Sequence, residues 1–281
     1  HRMVELNVFF VSIVRSIMNL KTSKRSLGLN RKYNFNQQFF ENIDNEHKAY
    51  WLGFIVADGN VSVRKCGSTL SITSIDYDHL EKFKDTINHV GPIRAHGEKN
   101  CYRFEVHSIK IVSDLIKLGV VPRKSRCTVV PHLSNDLVNH FIRGVFDGDG
   151  TIGFYGDSWR LSIVSGNPQF IIDLKKIITR NDIKGGYISH QKSVDNLTFG
   201  GSCLPYKFAN FIYKDANIYL DRKYEKYLEL CGYIENPINK LNIKIFKPCN
   251  IKRCCKVQYA KGLCRYHYDQ KRYYGENFEW N

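Results

Sequence analysis

The chain has 281 residues, of which 43% are apolar and 25% charged, and a formal net charge of +15. That apolar share supports real cores and excludes global disorder, and the length allows one large domain or two ordinary ones with an appendage. The charge points toward a polyanion, because phosphate backbones reward spread Lys and Arg through counterion release; both signs mix along most of the chain, so a merely solvated basic surface stands beside that reading, and an anionic membrane ranks below both.

Residues 6–18 are rich in apolar side chains but carry Asn7 and Arg15, and the run falls short of the ~20 residues that a membrane span needs. It reads as neither a signal peptide nor a span. Asn19 to Tyr33 then holds Lys21, Lys24, Arg25, Arg31 and Lys32 around Leu27-Gly28-Leu29. Residues 1–33 are expected to be an arm: either helix-turn-helix-like or a simple leader.

The next segment, Tyr50-Trp51-Leu52-Gly53-Phe54-Ile55-Val56-Ala57-Asp58-Gly59, reads as an apolar helix ending in Asp-Gly. A second such segment follows, Phe141-Ile142-Arg143-Gly144-Val145-Phe146-Asp147-Gly148-Asp149-Gly150, which places Asp149 91 residues after Asp58. Each pairs a Gly with a small residue four positions on, Gly53 with Ala57 and Gly144 with Gly148. Residues four apart share a helix face, so each helix has a stripe that allows close approach of another backbone. Two carboxylates carried to one such seam repel each other unless a cation or a proton intervenes, which suggests a divalent-metal site.

The repeat continues beyond the motifs. Leu70-Ser71-Ile72-Thr73-Ser74 and Leu161-Ser162-Ile163-Val164-Ser165 alternate as half-buried strands, again 91 residues apart. Helical patterns follow at His79–Ile87 and Phe170–Ile178, strands at Tyr102–His107 and Asn196–Phe199, and closing helices at Val112–Leu118 and Phe208–Tyr213. Turn-rich Cys66-Gly67-Ser68 and Gly185-Gly186 join or reverse strands. Each copy ends in an Arg-Lys pair, Arg123-Lys124 and Arg222-Lys223. The expected order in each unit is helix, two strands, helix, two strands, helix.

Nine cysteines form a poor disulfide framework: five are scattered singly, and four crowd into residues 249–264. Cys249, Cys254, Cys264 and His267 have the spacing C-x4-C-x9-C-x2-H, which suits a closed tetrahedral Zn2+ site, with Cys255 as an alternative to Cys254. Residues 240–281 carry ten Lys or Arg against three Asp or Glu, with tyrosines interleaved. This tail reads as a basic zinc-binding module that adds DNA contacts. The competing reading is a set of unliganded thiols in a flexible tail. Cysteine usage of this kind fits a reducing intracellular compartment, whether a phage-infected bacterial cytoplasm or an organelle.

The two segments Trp51 to Gly59 and Ile142 to Gly150 resemble the signature of the LAGLIDADG homing endonucleases, and the similarity runs over roughly residues 34–230. The resemblance implies an α+β fold of two pseudo-symmetric αββαββα units, 34–130 and 131–236, whose antiparallel sheets form a DNA-binding saddle, followed by the zinc module at 237–281. It implies a monomer that hydrolyses one phosphodiester on each strand of a double-stranded DNA target with Mg2+, leaving short 3′ overhangs. Asp58 and Asp149 occupy the family's metal-ligand position, and the carbonyls of Ala57 and Gly148 its backbone-oxygen position. Mg2+ favours such hard oxygens, and paired metals can activate the attacking water and neutralise the leaving oxygen. Val56 and Asp147 occupy a position that varies in the family, so Asp147 is expected to be a helix-end or surface acid rather than a ligand.

Lys124 and Lys223 are candidates for the basic residue that the family places near each cleavage centre; phosphate-contacting or surface lysines are the competing reading. Base reading in the major groove falls to the strand residues Arg64, Lys65, Arg94, Arg103, Arg160 and Lys192, each of which could equally be a solvated charge. A free-standing or intron-encoded enzyme is expected rather than an intein. The alternative is an intron RNA maturase, or a non-cleaving DNA-binding protein on the same fold, which retention of both acids disfavours.

Overall fold

The computed structural model describes residues 32–64, 67–97, 100–122, 129–236, 249–251, 254 and 260–274. Residues 1–31 of the expected arm, together with Lys65, Lys124 and Cys255, lie outside the described residues. The chain divides into two compact units, one ending at Tyr233 and the other beginning at Ile234.

The first unit contains the expected order twice. The first copy runs α1 (Glu46–Asp58), β1 (Gly59–Arg64), β2 (Gly67–Ser74), α2 (Tyr77–Thr86), β3 (Arg94–Ala95), β4 (Tyr102–His107) and α3 (Ile109–Lys117). The second runs α4 (Asn135–Asp149), β5 (Gly150–Tyr155), β6 (Ser158–Ser165), α5 (Pro168–Arg180), β7 (Tyr187–Gln191), β8 (Val194–Gly200) and α6 (Leu204–Tyr213). One element was not anticipated: α7 (Asp221–Glu235), whose first turn holds Arg222 and Lys223. The repeat's closing Arg-Lys pair therefore opens a helix in the second copy.

Each copy has one four-stranded antiparallel sheet, in the orders β1-β2-β4-β3 and β5-β6-β8-β7. Equivalent residues pair in both, Leu70 with Val106 and Val61, and Leu161 with Phe199 and Ile152. The alternation read from the sequence is the alternation of burial. Leu70, Ile72, Phe104 and Val106 in one sheet, and Leu161, Ile163, Leu197 and Phe199 in the other, are buried beneath the helices.

The motif helices α1 and α4 pack on each other at the centre. Asn45 caps α1 by accepting the Lys48 N–H at 3.1 Å, and residues Ala49 to Val56 are all buried, as suits a helix enclosed on every side. At the crossing, a Cβ on Gly53 would run into the carbonyl oxygen of Phe141, and a Cβ on Gly144 into that of Tyr50. The two contacts are pseudo-symmetric, and only glycine at both positions permits the approach. Among the described residues no helix is long and apolar enough to cross a membrane.

Candidate active site at the helix seam

Asp58 and Asp149 are the last residues of α1 and α4, so both carboxylates stand where helix carbonyl ends gather partial negative charge. The ends lie side by side. A Cβ on Gly148 would touch the Ala57 methyl group and would lie 3.4 Å from Asp58 Oδ2, which puts the Asp58 carboxylate against the residue preceding Asp149. Asp58 is exposed, whereas Ala57, Gly148 and Asp149 are half-buried. A cluster of carboxylate and carbonyl oxygens open to solvent at two negative helix ends is the donor set that a hard divalent cation takes. The residues present fit such an ion.

Asp147 departs from the expectation of a surface acid. It is 1% exposed, and its carboxylate receives Tyr213 OH at 2.5 Å, Tyr50 OH at 2.7 Å and the Leu220 N–H at 2.8 Å. Burial pushes its pKa up, against the pull of Lys223 and these three donors. The Tyr50 oxygen also lies 3.0 Å from His79 Nε2. Because the single Tyr50 proton goes to Asp147, His79 must donate from Nε2, and its Nδ1 has no hydrogen-bond partner among the described residues. Burial, with Lys82, Arg222 and Lys223 nearby, lowers the His79 pKa to about 3 and keeps the ring neutral.

Lys223 is also corrected. It is 3% exposed, and its ammonium donates to the carbonyls of Phe146 at 2.6 Å, Asp147 at 2.8 Å and Gly150 at 2.6 Å. An ammonium has three N–H donors, and all three are engaged. Lys223 is thus a buried clamp on the end of α4 rather than a surface lysine. Burial lowers its pKa to about 8, partly opposed by Asp147 and, more weakly, by Asp58 and Asp149.

Further down the seam, Arg143 is fully buried. It donates to Ile218 O at 2.8 Å, to Ile212 O at 2.7 Å and to Glu46 Oε1 at 2.6 Å, while the Asn217 N–H and side-chain amide donate to the same Glu46 carboxylate, each at 2.8 Å. Two ion pairs, Lys82–Asp221 at 2.6 Å and Arg222–Asp76 at 3.2 Å, tie the start of α7 to the first copy. Sequence reading missed Glu46, Tyr50, His79, Arg143 and Tyr213. The only available signal was an Arg and an Asp inside an otherwise apolar motif.

The proposed base-reading residues divide by position. Register places Arg103 opposite Thr73 and Arg94, on the sheet face away from the buried Phe104 and Val106. Arg103 is half-buried and held by Thr73 Oγ1 at 3.1 Å and His96 Nε2 at 2.6 Å; Arg94 and Arg64 are exposed. In the second sheet Arg160 is exposed, with its guanidinium 5.8 Å over the Tyr155 ring, and Lys192 is exposed in the β7–β8 turn. Each copy therefore presents one polar sheet face bearing arginine.

In the second unit, Cys249, Cys254, Cys264 and His267 bring their ligand atoms within 4.8 Å of one another. Cys249 Sγ lies 3.2 Å from His267 Nδ1, and the Cys264 N–H donates to Cys249 Sγ at 3.3 Å. Cys264 directly precedes α8 (Arg265–Tyr274), so His267 falls within its first turn. The turn before it closes with Gly262 at φ +78°, a conformation that glycine adopts freely. Burial works against a Cys249 thiolate, but His267, the N–H groups of Ile251 and Cys264, and Cys254 outweigh it and bring the pKa to about 6. Among the described residues, the Cys3His cluster expected from spacing is present.

No family profile and no curated protein matches the chain. Solved structures do. A double mutant of I-SmaMI is 14% identical, covering 71% of this chain and 94% of its own, with a TM-score of 0.51. A single mutant of I-SmaMI is also 14% identical, covering 71% and 97%, with a TM-score of 0.50. The LAGLIDADG meganuclease I-AabMI bound to uncleaved DNA is 15% identical, covering 71% and 91%, with a TM-score of 0.50. At such identities the likeness concerns architecture, and it agrees with the doubled motif, the paired sheets and the glycine crossing: the chain has the two-unit LAGLIDADG fold.

Proposed function

We propose that the protein is a site-specific double-strand DNA endonuclease that hydrolyses one phosphodiester on each strand and leaves short 3′ overhangs. The observation that carries this reading is the placement of two carboxylates, Asp58 and Asp149, at the adjoining ends of two helices that cross glycine on glycine. The polar sheet faces and the net charge of +15 support a duplex as the substrate.

Asp58, Asp149 and the carbonyls of Ala57 and Gly148 would hold Mg2+, which supplies Lewis acidity and a lowered pKa for the attacking water. The chain's own part is positional. The glycine crossing sets the spacing of the two acids, and the sheet arginines anchor the duplex by phosphate and base-edge contacts. The decisive experiment is cleavage selection from a randomised duplex library with Mg2+, followed by sequencing of the cut ends. Recovery of one cut sequence supports the reading, and the absence of any cut duplex rejects it. An intron-splicing assay on the double Asp58→Asn, Asp149→Asn variant separates cleavage from a maturase role.

We further infer that Cys249, Cys254, Cys264 and His267 hold a structural Zn2+. Three thiols and an imidazole close a tetrahedron and leave no open position for catalysis. The backbone N–H donated to Cys249 Sγ matches what a thiolate ligand needs around it. One zinc per chain by elemental analysis, lost in the Cys264→Ser variant, is the expected result.

A further inference from the structure

The two sheet faces that turn away from the helices share one pattern but carry different chemistry. Register gives the equivalences. Leu70 pairs with Val106 as Leu161 pairs with Phe199, so Arg103, opposite Thr73, corresponds to Asn196, opposite Val164, and Glu105 corresponds to Thr198. On the edge strands, Arg94 pairs with Arg103 as Ser189 pairs with Asn196, and Arg64 lies 91 residues before Tyr155. Each of these charged positions of the first face is neutral in the second. Among the described strand residues the exchange runs the other way only from Thr69 to Arg160.

The arrangement within each face is equally different. Arg94 and Arg103 stand directly opposite each other, and like charges so placed destabilise a ladder. Arg103 is nonetheless held in place, with its Nε donating to Thr73 Oγ1 at 3.1 Å and its Nη2 to His96 Nε2 at 2.6 Å. Two guanidinium groups side by side suit a surface rich in acceptors. Guanine presents two, O6 and N7, at its major-groove edge, and its partner cytosine presents an amino donor that a carboxylate such as Glu105 accepts. Arg160, by contrast, stands between Gly153 and Gly200 with its guanidinium over the Tyr155 ring, so it has no charged neighbour within the strands of its face. Around it are hydroxyls, an amide and an aliphatic group: Thr151, Ser162, Asn196 and Val164. An amide pairs with adenine N6 and N7, and aliphatic groups pack on the thymine methyl.

We propose that the two sheets read half-sites of opposite composition. The face of β1–β4 takes a half-site rich in G·C pairs, through Arg94, Arg103 and Glu105. The face of β5–β8 takes a half-site rich in A·T pairs, through Asn196 and Val164, with one guanine read by Arg160. The proposal rests on the reading that a DNA duplex lies across both sheets; it does not depend on cleavage.

The test is selection of bound duplexes from a randomised library by the full-length protein without Mg2+, repeated with Arg94→Ala, Arg103→Ala and Arg160→Ala. The unaltered protein should recover a site with an excess of G·C in one half and of A·T in the other. Arg94→Ala and Arg103→Ala should relax guanine preference roughly tenfold per contacted base pair in the G·C half alone, and Arg160→Ala by a similar factor at one guanine of the other half. Should Arg103→Ala fail to fold, Arg94→Ala, at an exposed position, carries the test. Halves of equal composition overturn the proposal, as does relaxation in the wrong half. A uniform loss of affinity across all sequences, with a shallower salt dependence, assigns these arginines to phosphates and overturns it as well. Each of these failures leaves the endonuclease reading standing where the recovered duplex is cut once Mg2+ is added. An asymmetric duplex that stays uncut removes the endonuclease reading and supports this one. Recovery of no preferred duplex overturns both.

Discussion

The ends of α1 and α4 carry the same motif and meet at the same crossing, yet the residue two before each terminal acid differs in kind. Two residues before Asp58 stands the buried, apolar Val56. Around Asp149 the matching position is Asp147, wired to Tyr50, Tyr213 and the α7 segment, with Lys223 beneath it. The difference teaches that pseudo-symmetry in this molecule is strict where backbones touch and relaxed where side chains fill the layer. Glycine is demanded on both sides because a carbonyl occupies the space, whereas either an apolar or a fully satisfied polar layer can fill the rest.

The largest effect that can break the comparison lies at the acids themselves. Asp58→Asn and Asp149→Asn should each abolish double-strand cleavage, slowing scission by roughly 10³-fold, the several kcal/mol that a metal's charge stabilisation represents. Gel-shift affinity should be largely spared. Wild-type-like cutting by either variant sinks the assignment of these two residues. A second effect separates the seam from the tail. Chelation of zinc should unfold residues 249–274 and weaken DNA binding, since structural zinc sites in small modules supply about 10–16 kcal/mol of apparent binding energy. Hydrogen exchange at α1 and α4 should not respond; a loss of protection there would tie the helix ends to the tail.

The glycine crossing offers a sharper comparison at smaller magnitude. Gly53→Ala and Gly144→Ala should destabilise the fold alike, by about 1–3 kcal/mol each if the backbones shift to accommodate the methyl group. Chemical denaturation measures this, and a large inequality between the two would contradict a symmetric contact. The smallest effect, counted per pH unit, is the pH response of the polar side. With the folded pKa of His79 at about 3 against the ordinary 6.5, the unfolded chain binds the extra proton between those values. Stability should therefore fall as pH drops below 6.5, with a slope of up to about 1.4 kcal/mol per pH unit from this residue. His79→Phe, which copies Phe170 of the second copy, should flatten that slope; an unchanged slope would place the acid sensitivity elsewhere.

Much of the architecture was legible from local pattern. The alternation at Leu70–Ser74 and Leu161–Ser165 reports burial because a strand's faces alternate by geometry, and the small-residue stripe reports the crossing because a Cβ on Gly53 or Gly144 would meet a carbonyl oxygen of the facing helix. The spacing of Cys249, Cys254, Cys264 and His267 foretold a cluster because a short tail with few apolar residues has little else to organise it. The role of Lys223 was not legible. An Arg-Lys pair after a repeat looks the same whether its lysine faces solvent or turns inward, and the partner carbonyls lie 73 to 77 residues away in the chain. Asp147 was misjudged for the same reason: its donors Tyr50 and Tyr213 stand 97 and 66 residues from it.

By itself the sequence determined the doubled unit, the pair of acids at the helix ends, the polar and apolar faces of both sheets and the metal-ligand spacing of the tail. Each of these follows from periodicity or from the steric demands of a single residue. Only the tertiary structure decided which charged groups are buried, that Lys223 is spent on the end of α4, and that Asp147 is fixed by Tyr50, Tyr213 and the Leu220 N–H. A buried charge is tolerated only when donors and acceptors from several elements converge on it, and that convergence exists in the packed molecule and in no stretch of the chain.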